Sequence, residues 1–127
     1  NITLINDGSE NVRLDENSID FSFSSPPYYN IEYYSNDQTQ AYAQGEDYFY
    51  NIYWKKTLEN IKFMLKPNKI FALNVLERFS KMINMTKDMF GNPIEIIKLR
   101  TIRSHLTKTK KVGTEKFEPV YIYKNIK

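Results

Sequence analysis

At 127 residues the chain has room for one domain and no more, and an apolar share of 41% is enough for a core, which excludes a disordered polymer. The lack of cysteine removes disulfide scaffolds and thiol chemistry and suits the cytoplasm, and no apolar run approaches a membrane span or a secretory leader. The net charge of +3 hides a division: residues 1–60 carry ten acids against three bases, and residues 98–127 nine bases against two acids.

In chain order, residues 2–5 (Ile-Thr-Leu-Ile) read as a short strand, followed by a turn at Asn6-Asp7-Gly8-Ser9. Residues 19–23 alternate apolar and polar and read as a strand of a buried parallel sheet. Ser25-Pro26-Pro27-Tyr28 ends it, because neither proline has an N–H to donate. The result is a stiff corner bearing a hydroxyl, carbonyls without neighbouring donors, and an aromatic ring. Residues 29–45 form a long polar, tyrosine-rich loop. Apolar spacing from Asp47 to Leu65 predicts a helix with Asp47 as N-cap, stopped by Lys66-Pro67-Asn68. Residues 70–75 are an apolar strand, and residues 77–90 a second helix closed by Gly91. Residues 94–102 and 117–123 alternate and are expected to pair as antiparallel strands across a basic loop. Trp54, on the first helix, is expected in the core.

In an open α/β sheet, ligands bind beyond the carboxyl ends of the strands. A planar ring bearing an amine would stack on Tyr28 while its NH2 donates to Ser25 and a proline carbonyl. Ser25-Pro26-Pro27-Tyr28 resembles the (D/N/S)-P-P-(Y/F/W) motif of S-adenosylmethionine-dependent amino-methyltransferases, which modify N4 of cytosine or N6 of adenine in DNA. Asp20 stands five residues upstream of Ser25, as in that family. Residues 29–35 resemble its loop after the motif. Residues 65–75, Leu-Lys-Pro-Asn-Lys-Ile-Phe-Ala-Leu-Asn-Val, resemble its Leu-Lys-Pro turn and strand, and residues 117–124 its last strand. The matches fall in the family's order and cover residues 17 to 125.

The resemblance implies an α/β fold, part of a Rossmann-like seven-stranded methyltransferase sheet with a C-terminal antiparallel hairpin. It implies an enzyme of DNA methylation, of the restriction-modification kind, with S-adenosylmethionine as cofactor and cytosine N4 slightly preferred to adenine N6. Ser25 would accept or orient the target amine, the Pro26 carbonyl would polarise its second N–H bond, Pro27 would hold the corner, and Tyr28 would stack on the base once it is flipped out. The amine would attack the methyl sulfonium directly, since a hydroxyl is too weak a base to take the proton first. Asp7 and Ser24 are the expected cofactor contacts and Tyr29 a wall of the base pocket. Asp20 would orient the motif loop or face solvent as an ordinary surface acid.

The family's Gly-rich cofactor turn is missing. Gly8, Gly45, Gly91 and Gly113 stand singly, with no two inside three residues. Residues 1–127 are therefore expected to be a single, partial catalytic domain, the C-terminal half, with the missing N-terminal half and a second copy in a dimer as expected partners. Arg103, Lys108, Lys110 and Lys111 lie in the basic loop, whose cations would grip DNA phosphates. A solvated hairpin loop explains the same residues. His105, the one histidine, has no cysteine or acid beside it, so no metal site is expected. Three other readings stay open: a methyltransferase acting on RNA or protein, a non-catalytic nucleic-acid-binding fragment of the same fold, and a structural or dimerisation module.

Overall fold

The computed structural model describes residues 1–29, 41–102 and 115–127. It is an α/β arrangement of four strands, β1 (Ile19–Ser24), β2 (Leu65–Asn74), β3 (Glu95–Ile102) and β4 (Glu115–Lys124), with two helices, α1 (Lys55–Met64) and α2 (Ser80–Phe90). The sheet order is β1-β2-β4-β3. β1 and β2 are parallel, and β4 runs antiparallel to both neighbours, so the C-terminal hairpin forms as expected. The described residues supply four strands of a mixed sheet, not seven.

Pairing in register assigns the faces. Ser24, Leu73 and Tyr121 share one face, as do Ser22, Phe71 and Tyr123. Phe71, Leu73, Tyr121 and Tyr123 are buried with Phe49, Trp54, Leu58 and Met82 in one core, so this face packs against the helices. Trp54 is fully buried as expected, and its indole N–H donates to the Met82 carbonyl at 3.4 Å, tying the first helix to α2. The opposite face carries Phe21, Phe23, Ile97 and Leu99, all exposed.

That exposure corrects one expectation. Residues 19–23 are a parallel strand, but β1 is the edge of the sheet among the described residues, and Phe21 and Phe23 stay 56% and 58% exposed. Alternation assigns residues to faces; it does not supply what covers them. Residues 2–5 are a second correction. They form no strand, and Ile2 and Leu4 are almost fully exposed, since among the described residues nothing pairs with them.

The first helix also departs from expectation at both ends. It starts as a π-helical stretch, Tyr48–Trp54, running straight into α1. Asp47 does not cap it: its backbone is already helical, and its carboxylate accepts from Asn51 Nδ2 at 2.8 Å. Gly45, at a φ of 101° open to glycine, begins the turn, and its carbonyl accepts from Phe49 N at 3.0 Å. Residues 41–44 are a 3-10 turn inside the expected loop, whose residues 30–40 lie outside the described residues. Lys66-Pro67-Asn68 does not separate helix from strand. β2 begins at Leu65, and these residues bulge within it, so that Ile19 pairs with Leu65 but Phe21 with Ile70. Proline has no N–H to leave orphaned there, and Asn68 takes the left-handed φ of 64°. α2 starts at Ser80 and closes at Gly91 as expected, with Gly91 N on the Lys87 carbonyl at 2.7 Å.

Asn125 locks the far end of the sheet. It is fully buried, and its amide donates to the Leu65 and Lys62 carbonyls at 2.7 and 3.3 Å, where α1 gives way to β2. Tyr123 is buried as fully, yet its hydroxyl has no hydrogen-bond partner among the described residues. Burial, with Tyr121 beside it, pushes this phenol up to about 12. Tyr123→Phe is therefore expected to stabilise the fold by about 1 kcal/mol, because it removes an unpaired buried hydroxyl and leaves the ring. The pH dependence has a definite sign. The unfolded phenol ionises near 10, so its contribution to stability is complete below that pH and is lost as pH rises through about 12. Urea melts from neutral pH to pH 12 check both points: Tyr123→Phe should melt later at neutral pH and lose less on the alkaline limb.

Candidate functional site

The corner after β1 stands at the carboxyl ends of β1 and β2, the position where open α/β sheets place their ligands. Pro26 is buried and wedges the corner against the body, while Ser25 is exposed. The Ser25 hydroxyl donates to Asn74 Oδ1 at 3.3 Å, and Asn74 Nδ2 donates to the Pro119 carbonyl at 3.1 Å. Three adjacent strands are thus joined through one side-chain amide. β2 ends at Asn74, and β4 continues to Pro119, which pairs with Lys98 of β3. The Asn74 side chain carries the ladder one bond beyond the end of its own strand.

This arrangement fixes the direction of the Ser25 hydroxyl. Asn74 must turn its NH2 to Pro119, because a carbonyl accepts and cannot donate. Its oxygen then faces Ser25 and takes the hydroxyl proton. The lone pairs of Ser25 Oγ remain for an incoming donor. An exocyclic amine is such a donor.

Tyr28 is half-buried and pins the corner to the loop after β2. Its hydroxyl accepts from Leu76 N at 3.0 Å, and its ring lies flat on Phe79, centroids 3.9 Å apart and planes 5° apart. One face of the ring is therefore taken by Phe79, so a base stacking on that face must displace it. The Arg78 guanidinium lies 5.1 Å from the Phe79 ring centre. Tyr29 joins the aromatic group on the π-helical stretch, 5.7 Å from Phe49 and 6.4 Å from Tyr50 between centroids. Burial, with Glu46 and Tyr29 adding to it, raises the Tyr50 phenol above its ordinary value, and Lys81 Nζ sits 4.3 Å from the centre of that ring.

The other expected residues are not brought to the corner. Asp7 is exposed and serves its own turn, its carboxylate accepting from Gly8 N at 2.7 Å and Asn11 Nδ2 at 3.0 Å. Ser24 lies within β1, in register with Leu73, on the face that packs against the helices. Asp20 pairs with Lys66 at 2.9 Å and Lys69 at 3.9 Å, and the Lys66 ammonium holds its carboxyl below the usual carboxylate value. It braces the bulge at the start of the sheet rather than the motif loop. Arg103, Lys108, Lys110 and Lys111 fall outside the described residues.

A cofactor with an adenosyl and a methionine part needs a glycine turn or a carboxylate free to take ribose hydroxyls. Gly8 has an ordinary φ of −67°, and a Cβ there would run into the Glu10 carboxylate. Only Oδ1 of Asp7 is engaged in its turn, and no glycine pair that would cradle the methionine part lies among the described residues. Among the described residues no cluster of His, Asp or Glu could hold a metal, and no helix is long and apolar enough to cross a membrane.

Asn74, Pro119, Leu76 and Phe79 are the site residues that motif reading missed. The signal for Asn74 is the polar residue ending the apolar run Ile-Phe-Ala-Leu. For Phe79 nothing local marks it. No family model matches the chain, and no curated protein matches its sequence.

Proposed function

We propose that this chain is the substrate-holding part of an S-adenosylmethionine-dependent amino-methyltransferase, acting on an exocyclic amine of a DNA base, cytosine N4 before adenine N6. The observation that carries the reading is the Ser25–Asn74–Pro119 relay. It leaves a hydroxyl lone pair beside the prolines of a Ser-Pro-Pro-Tyr corner, at the ligand-binding end of a parallel strand pair. A parallel pair extended by an antiparallel hairpin is also what one side of a seven-stranded methyltransferase sheet would contribute.

The work assigned to these residues is binding and orientation. Ser25 Oγ accepts one N–H of the amine, and the Pro26 carbonyl accepts the other. Both directions are set before the substrate arrives, by the Asn74 amide and by the prolines, so little reorganisation is needed. Tyr28, held by Leu76 and Phe79, limits the depth to which a ring can enter. The cofactor cradle lies, on this reading, outside the described residues.

The direct test is transfer of labelled methyl from S-adenosylmethionine to DNA, followed by digestion to nucleosides. The expected product is labelled N4-methylcytosine. Label in RNA or protein and none in DNA would overturn the substrate class, and label in DNA on a ring carbon would overturn the amine chemistry.

A further inference from the structure

A second concavity, about 660 Å³ in volume, opens at the same end of the sheet as Ser25. Its walls are the loop after β2 (Leu76, Glu77, Arg78), Lys98 of β3, and residues 117–119 of β4. It shares Pro119 with the relay at Ser25. Register sets its lining. Phe117 and Pro119 alternate with Tyr121 on the helix side of β4, and Lys98 stands opposite Pro119 on the same side. Glu118, between Phe117 and Pro119 in the strand, borders the groove as well, so the lining carries Glu77 and Glu118 beside Arg78 and Lys98.

Three properties specify the occupant. Phe117 is 52% exposed, an aromatic ring offered to the groove and not consumed by the core. Lys98 makes no ion pair among the described residues, and Arg78 has the Phe79 ring beside it but no carboxylate within salt-bridge reach. The groove also lies within reach of the target corner: β1, β2 and β4 are adjacent, and strand spacing puts its β4 wall roughly 10 Å across from β1. An aromatic platform between cations is the surface that single-stranded nucleic acid uses, with a base on the ring and phosphates on the cations.

We propose that this groove binds the nucleotides next to the one held at Ser25, with Phe117 stacked on a base and Lys98 and Arg78 set against phosphates. The inference rests on the nucleic-acid reading of the corner and adds where the strand leaves it. Glu77 and Glu118 limit the path: phosphates fit only where Lys98 and Arg78 outweigh these acids.

The test is fluorescence anisotropy of a labelled mixed-sequence single strand with the whole chain, at salt between about 50 and about 200 mM. Phe117→Ala should weaken binding roughly five- to a hundredfold, the range for one lost base stack. Lys98→Gln should weaken it at low salt and flatten the plot of log affinity against log salt by about 0.7, the value of one phosphate contact on a single strand. Thermal melts of both variants should match wild type, since both side chains are exposed. Wild-type binding that neither variant changes would overturn the groove and leave the corner untouched. Displacement of the strand by polyglutamate from wild type and Phe117→Ala alike would overturn stacking and reduce the groove to a charged surface. Loss of binding in both variants, together with methyl transfer that survives Ser25→Ala, would uphold the groove and overturn the corner.

Discussion

Ser25→Ala is expected to lower methyl transfer by about a hundredfold or more while DNA affinity stays within about twofold. The magnitude follows from removing one preorganised hydrogen-bonding group at a reacting centre, which costs on the order of 10²–10³ in rate. The selectivity follows from the structure. Ser25 is exposed and makes a single long bond, 3.3 Å to Asn74, so its loss disturbs no core contact. Asn74→Ala should produce part of the same loss, because the hydroxyl then rotates freely. In the double variant the effects should fall short of additive, since both act through one acceptor. Single-turnover rates for the two single variants and the double variant, beside melts of each, provide the check. Wild-type rates in Ser25→Ala would remove the corner from the chemistry.

Trp54→Ala should cost about 3–5 kcal/mol, the range for deleting a large buried aromatic. A domain of this size has only about 5–15 kcal/mol in total, so the variant should be largely unfolded under conditions where wild type is native. The location explains the size of the effect. Trp54 is where the π-helical stretch becomes α1, it is fully buried, and its N–H reaches across to the α2 backbone. Removing it leaves a cavity at the junction of three elements, while the Met82 carbonyl keeps its bond from the Thr86 hydroxyl at 2.8 Å, so the cost is mainly lost packing. Urea melts followed by near-UV circular dichroism should show the shift, and Trp54→Phe should recover most of it, since only the 3.4 Å bond and part of the ring are lost. An alanine variant as stable as wild type would mean that the helices do not dock through this residue.

Much of the fold was legible because its elements announce themselves locally. The alternation of residues 117–123, the apolar run of residues 70–75 and the glycine closing α2 each reflect a short-range rule, and β4, β2 and α2 lie where those rules put them. The failures share a cause. Residues 2–5 look like a strand, but a strand needs a neighbour, which local pattern does not provide. Phe21 and Phe23 look like core, but among the described residues nothing covers them. Asp47 looks like a cap, but its own backbone is already helical and its carboxylate turns to Asn51. The corner itself was readable as four consecutive residues, whereas its support was not. Asn74 and Pro119 are 45 residues apart, and only the antiparallel return of β4 beside β2 brings them together.

The corner stands on the outermost strand, and this bears on how the molecule behaves in solution. Among the described residues β1 has a hydrogen-bonded neighbour on one side only, and its other side presents backbone donors and acceptors beside Phe21 and Phe23. Such an edge is a template for a strand from any other molecule. Asp20, paired with Lys66 and Lys69, sets charge at the start of this strand, the kind of device by which edge strands are kept from adding copies of themselves.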